Sequence, residues 1–154
     1  MIEALTFQEE SRMSRLLKDE RGMTLIELLA TVVILAIIAG IGIVAIGNVI
    51  QNSREDSAVA EVQQAMSAAN LYQLDPSIDG DSFNLEDVKE AKYLQQAGNW
   101  ASLENVQFTV QDDGTLVIDV PADQLSAGNI KNKSFTGNAD AVAVLSRAQL
   151  FHDE

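Results

Sequence analysis

The sequence contains no cysteine, one histidine and two prolines, and its 10 basic residues are outnumbered by 23 acidic ones. Without cysteine there is neither a disulfide framework nor a thiolate to act as nucleophile or metal ligand, so any folded domain must be held by packing. The single histidine, His152, sits beside Asp153 and Glu154 at the chain end. It reads as part of a frayed tail, and a His-based dyad or metal cluster would lack its second member. A formal net charge of −13 repels phosphate backbones and lacks the basic footprint of nucleic-acid binding, so no direct nucleic-acid contact is expected from this chain alone. Aromatic residues make up only 5% of the chain, and Tyr72, Tyr93 and Trp100 are too dispersed for a base-stacking platform. Packing is the expected role of each. Phosphate loops and dinucleotide-binding glycine patterns are also missing.

What the chain does have is an apolar run from Leu28 to Gly47 without one charged side chain. Twenty residues at about 1.5 Å rise span roughly 30 Å, the hydrocarbon thickness of a bilayer. One acid, Glu27, stands at its mouth. A carboxylate in a membrane segment costs on the order of a few kcal/mol unless paired or interfacial, so Glu27 is either a functional residue or an acid snorkelling at the membrane edge. Residues 1–22 do not form an ordinary secretory signal, because their polar part is long and any cleavage point would precede the apolar segment. Arg12, Arg15, Lys18 and Arg21 lie just before the span, whereas the far side offers only Arg54 beside Glu55 and Asp56. This asymmetry places the N-terminus in the cytoplasm and the acidic C-terminal part outside.

Gly22 followed by Met23-Thr24-Leu25-Ile26-Glu27 and a hydrophobic helix resembles the class III signal of type IV pilins and type II secretion pseudopilins. The resemblance implies that prepilin peptidase cuts between Gly22 and Met23, that Met23 becomes the N-methylated terminus, and that Glu27 is the acid serving assembly. Two positions depart from the family's usual pattern: Met23 stands where Phe is common, and Val44 where a proline is often found. Removing residues 1–22 leaves six basic and eighteen acidic residues, a net charge of −12. Other implied partners are further pilin or pseudopilin subunits in a homo-oligomeric filament, an assembly platform protein and an ATPase machine.

Beyond the span the helical pattern continues. Val59, Val62, Met66 and Ala69 recur at three- and four-residue steps, flanked by Ala58, Ala65 and Ala68. One helix is expected from about Met23 to Leu74, stopped by Asp75-Pro76. Gly40, Gly42 and Gly47 within it suit close helix packing or local loosening. Asn84 can cap a second helix starting near Leu85, with Leu85, Val88 and Tyr93-Leu94 as its apolar side and Gly98 as its stop. Val106 to Val110 and Leu116 to Val120 read as a hairpin around Asp112-Asp113-Gly114, ended by Pro121. Ala122 to Asn138, with its Asn, Ser and Gly residues, reads as mostly loop. Ala139 to Leu145 reads as a final strand or a short helix, with strand preferred because Val142 and Val144 alternate with alanines. Thus the expected fold is α+β: a leader over 1–22, a transmembrane helix over 23–50, its amphipathic continuation over 51–75, and a small antiparallel head over 76–154.

Two further patterns have the residue types of sites. Asp75, Asp79, Asp81 and Glu86 form an acidic stretch that could attract calcium, which some pseudopilins hold in a loop. However, an EF-hand loop starting at Asp79 would put Asn84 where glycine is required. No metal or cofactor is expected. Asn132-Lys133-Ser134 fits a glycosylation acceptor, a pattern short enough to arise by chance. The expected work is assembly, not catalysis: a prepilin-like subunit stored in the membrane and built into a pseudopilus, competence pilus or secretion pilus. The alternative from another class is a single-pass anchored extracytoplasmic binding or sensor domain, which would keep residues 1–22.

Overall fold

A computed structural model describes residues 24–78 and 80–152. The chain divides into two compact units between Ile46 and Gly47. Helix α1, Leu25–Tyr72, contributes 48 residues to the two together. It ends where expected. The Gln73 amide donates to Ala69 O at 2.9 Å, the Leu74 amide to Leu71 O at 3.3 Å and the Asp75 amide to Tyr72 O at 3.1 Å. This last turn tightens before Pro76, which has no amide to continue it.

In the second unit the expected stripe becomes the core. Val59, Val62, Met66 and Ala69 are buried, and so are Ala58, Ala65 and Ala68. They lie against a four-stranded antiparallel sheet of order β1-β2-β3-β6, formed by β1 Ser82–Asn84, β2 Gln107–Val110, β3 Leu116–Val120 and β6 Phe135–Asn138. Side chains alternate across a strand, so Phe108 turns into the core while Gln107 and Thr109 face solvent. On β3, Leu116, Ile118 and Val120 do the same. The register places Phe108 opposite both Ile118 and Phe83. Phe83 stacks on Phe108 at 5.3 Å and meets Tyr72 at 4.7 Å, and Tyr93 stands edge-on to Tyr72 at 5.9 Å. Thus the chain's dispersed aromatics include a pair, Tyr72 and Tyr93, that the fold brings together.

The sequence expectations for helix α1, the Asn84 cap and the hairpin hold. Asn84 Oδ1 accepts from the Asp87 amide at 3.0 Å, and the Asp87 carboxylate accepts from the Asn84 amide at 2.9 Å, a reciprocal capping box. Helix α2, Leu85–Glu90, is however only six residues long. It stops well before Gly98, because Lys92 turns the chain at φ 66°.

Three further readings are corrected by the structure. The stretch from Ala122 to Asn138 contains a small hairpin, β4 Ser126–Ala127 with β5 Ile130–Lys131, and the fourth strand of the main sheet, β6. The β6 segment, Phe-Thr-Gly-Asn, has no hydrophobic alternation of its own. Its pairing with β3 is supported by Thr136 Oγ1 donating to Asp119 Oδ1 at 2.7 Å. Second, Ala139–Ala143 is a helix, α3, capped by Asn138, whose side chain accepts from the Ala141 amide at 3.0 Å. Val142 is buried there while Val144 is 76% exposed, so the alternation of valines and alanines does not mark a strand. Third, the C-terminal segment is not a frayed tail. Arg147–Phe151 forms helix α4, and Leu150 and Phe151 are buried in the core.

Candidate functional site

Of the residues proposed to carry function, Glu27 lies in the first turn of α1. Gly22 and Met23 fall outside the described residues. Thr24 begins them, and its side chain and carbonyl cap the helix: Thr24 Oγ1 accepts from the Glu27 amide at 3.3 Å, and Thr24 O accepts from the Leu28 amide at 3.0 Å. Glu27 is exposed in the first turn, where the helix dipole favours an anion. One turn on, the Thr31 hydroxyl donates to Glu27 O at 2.9 Å and Leu28 O at 2.8 Å. It therefore needs no partner from the surroundings, as a hydroxyl in an apolar medium should not.

From Leu25 to Ile50 every large apolar side chain is exposed, from 47% at Ile50 to 85% at Leu25. By length and composition this helix can cross a membrane. Gly40, Gly42 and Gly47 lie in it with open space around them, and the helix runs through all three unbroken. Their helical conformation leaves their small size as the feature available to a neighbour, close approach being what glycine permits.

The second unit holds a group that the sequence did not single out. Glu55 is 2% exposed, although it sits between the exposed Arg54 and Asp56. Its Oε1 accepts from Gln51 Nε2 at 2.9 Å and its Oε2 lies 3.0 Å from His152 Nε2. Gln51 Nε2 also donates to Ala127 O at 2.9 Å. The stem helix, the β4–β5 hairpin and the C-terminal segment thus meet at one carboxylate. Burial pushes the Glu55 carboxyl up, but the hydrogen bonds from Gln51 and His152, with the nearby charges of His152 and Arg147, outweigh it and hold the group below the usual carboxylate range. A sequence signal exists in hindsight: Glu55 lies on the helical face of Val59, Val62 and Met66. It was missed because a buried acid is the exception.

Of the remaining candidates, Asp75 and Asn132 are occupied by structural contacts. Asp75 accepts from the Ser77 amide at 3.0 Å, from the Ser77 hydroxyl, and from Tyr93 Oη at 2.8 Å. Ser77 first, then Tyr93, holds this carboxyl below its ordinary value. Asp79 is outside the described residues, and among them no three His, Cys, Asp or Glu side chains converge on a metal position. Asn132 is 2% exposed: its Oδ1 accepts from the Leu125 amide at 2.7 Å and its Nδ2 donates to Pro121 O at 2.9 Å and Lys133 O at 2.7 Å. The folded chain therefore does not present it as a glycan acceptor.

Neither a curated protein nor a solved structure matches the chain. A family model does match at the N-terminus: the prokaryotic N-terminal methylation motif, over residues 17–43. This match covers Gly22, Met23 and Glu27 and most of the exposed apolar helix. The chain therefore carries the class III signal of type IV pilins, followed by a long apolar helix able to cross a membrane and a small antiparallel sheet in a pilin-like α+β arrangement.

Proposed function

We propose that this chain is a structural subunit of a type IV pilus-family filament. In this reading prepilin peptidase removes residues 1–22 and methylates Met23, the mature chain is stored in the membrane with its head outside, and an ATP-driven machine extracts it into a filament. The observation that carries the reading is the methylation motif lying directly on an exposed apolar helix that continues as the packing helix of the head. A plain anchor would need the apolar stretch but not the signal residues ahead of it. The subunit's work is assembly rather than catalysis, with Glu27 as the residue that registers one subunit on the next.

The test is the mature N-terminus. In the native host, mass spectrometry and N-terminal sequencing should give a chain beginning at N-methylated Met23. Gly22→Val should abolish processing, because a branched side chain at the scissile position obstructs approach of the peptide to the protease. A chain that keeps residues 1–22 in cells with active prepilin peptidase would favour the anchored sensor instead.

A further inference from the structure

Arg54 is anomalous in a chain this acidic. Among the described residues it takes part in no ion pair and no hydrogen bond. The acids nearest to it on α1 are engaged elsewhere: Glu55 with Gln51 and His152, Asp56 with Arg147 at 3.7 Å, and Glu61 with the Asn99 amide at 2.8 Å and Asn99 Nδ2 at 3.1 Å. The guanidinium is nevertheless positioned. It lies against the backbone of Gly128, where a Cβ would come within 2.7 Å of Arg54 Nη1 and 3.3 Å of its Cδ.

Beside it opens a cleft of about 400 Å³ lined by Arg54, Ser57, Asn99, Ser126 and Gly128. Among the described residues no acid lines it. The lining offers a guanidinium fork, two hydroxyls and a carboxamide. Asn99 Nδ2 uses one of its protons on Glu61 and retains the other, and the Ser57 hydroxyl donates to Ser53 O at 2.9 Å. An unpaired planar guanidinium beside the second Asn99 Nδ2 proton and the Ser126 hydroxyl suits a tetrahedral oxyanion, with two parallel N–H···O bonds as the strongest form, although the Ser57 proton is spent on Ser53 O and the Glu61 carboxylate stands behind Asn99. Its level along the helix narrows the source. Arg54 follows Ile50, the last exposed large apolar residue before the head, by four residues, or about 6 Å of rise. That distance past an apolar stretch falls in the headgroup layer, which adds roughly 5–8 Å on each side of the hydrocarbon core.

We propose that the Arg54 cleft is a phosphate-binding site, filled in the membrane-stored subunit by the phosphodiester of a lipid headgroup. The lipid source rests on the membrane reading above; the phosphate chemistry does not. Binding there would hold the base of the head against the outer leaflet until extraction strips the phosphate away.

The experiment uses the full chain with ¹⁵N-labelled arginine, the Arg54 Nε–Hε resonance being assigned by its loss in Arg54→Gln. In phosphate-free maltoside micelles, added inorganic phosphate should shift this resonance saturably. In phosphatidylcholine nanodiscs it should sit at the shifted position without added phosphate and show dephasing by ³¹P. No response in either medium overturns the site. A shift with inorganic phosphate but no ³¹P contact in discs overturns the lipid assignment and leaves a site for free phosphate. A disc signal that follows the number of chains per disc, without ³¹P contact, would assign Arg54 to a carboxylate of a second copy and overturn the proposal. Failure of the chain to enter discs at all would count against the membrane reading, while the micelle arm still decides the site.

Discussion

Replacing Val62 by aspartate should destabilise the head severely. Val62 is fully buried in α1, with Ala58, Ala65, Met66 and Ala69 in the same core cluster. Removing its side chain forfeits roughly 1.5–3 kcal/mol of apolar burial. The incoming carboxylate has two options. It can stay charged without a partner in the core, at a cost of several kcal/mol, or take a proton at neutral pH, which costs about 4 kcal/mol from an ordinary Asp value near 4. Either route brings the loss to roughly 6 kcal/mol, against a total stability of about 5–15 kcal/mol for a domain of this size. Val62→Ala separates the two contributions. It should cost about 2 kcal/mol and lower the melting temperature by roughly 10 °C, through lost burial and the cavity left behind. Ala60→Asp, on the exposed face of the same helix, should cost only about 0.5–1 kcal/mol through helix propensity. Circular-dichroism melts of a soluble fragment starting at Gln51 would read all three. Coincident melts of Val62→Asp and the parent would refute the assignment of this face to the core.

Other perturbations address the contacts that tie the head together. Because the Glu55 carboxyl is held below its ordinary value in the folded chain, its ionised form favours folding above that ordinary value, and the stabilisation drains away as pH falls through the lowered one. Denaturation midpoints from about pH 7 down to about pH 3 should therefore fall less steeply for Glu55→Gln than for the parent. Asn132→Ala strips the Leu125 amide of its acceptor and should cost about 1–3 kcal/mol in chemical denaturation, whereas Lys131→Ala, which removes an exposed pair with Asp123, should cost less than about 1 kcal/mol. Gly98→Ala meets a φ of 65° and places a Cβ against the Glu61 carboxylate, so it should cost about 1–3 kcal/mol and expose the Asn99 amide to faster hydrogen exchange.

Features carried by local periodicity or by a residue with one dominant preference were legible in the sequence. The α1 core stripe, the Asp75-Pro76 stop, the Asn84 cap and the β2–β3 hairpin are of this kind. What was not legible depends on contacts distant along the chain. Phe135–Asn138 is a strand because β3 offers it an edge and Asp119 a partner for Thr136. Ala139–Ala143 has a pattern too short to separate helix from strand, and the deciding residue, Asn138, lay in what read as loop. His152 looked like tail because its partner, Glu55, is 97 residues away. At the signal itself the short motif was informative because its residues are contiguous, whereas the Arg54 cleft draws on α1, the Asn99 loop and the β4–β5 hairpin together.

The two halves of α1 differ in where their burial comes from, and this is the physical basis of the role proposed for Glu27. The stripe from Ala58 to Ala69 finds its apolar partners within the chain; the large apolar residues up to Ile50 are exposed, to be covered by lipid or by neighbouring helices in the proposed filament. Lipid tails are about as apolar as leucine, so exchanging one cover for the other gains little hydrophobic free energy and does not select a register. A polar group can select it. Glu27 is the only charged residue from Met23 to Gln51, and in a mature subunit the new amine of Met23 would be the nearest group of opposite charge on a neighbour. Each is costly alone in a low-dielectric filament core, and pairing relieves both at one axial offset. Glu27→Ala should therefore leave membrane insertion and cleavage after Gly22 intact, since it makes the segment more apolar, while filaments counted by electron microscopy and filament-dependent uptake or secretion are lost. Abundant, normally ordered filaments built only from Glu27→Ala subunits would refute the pairing and return Glu27 to an acid that merely marks the membrane edge.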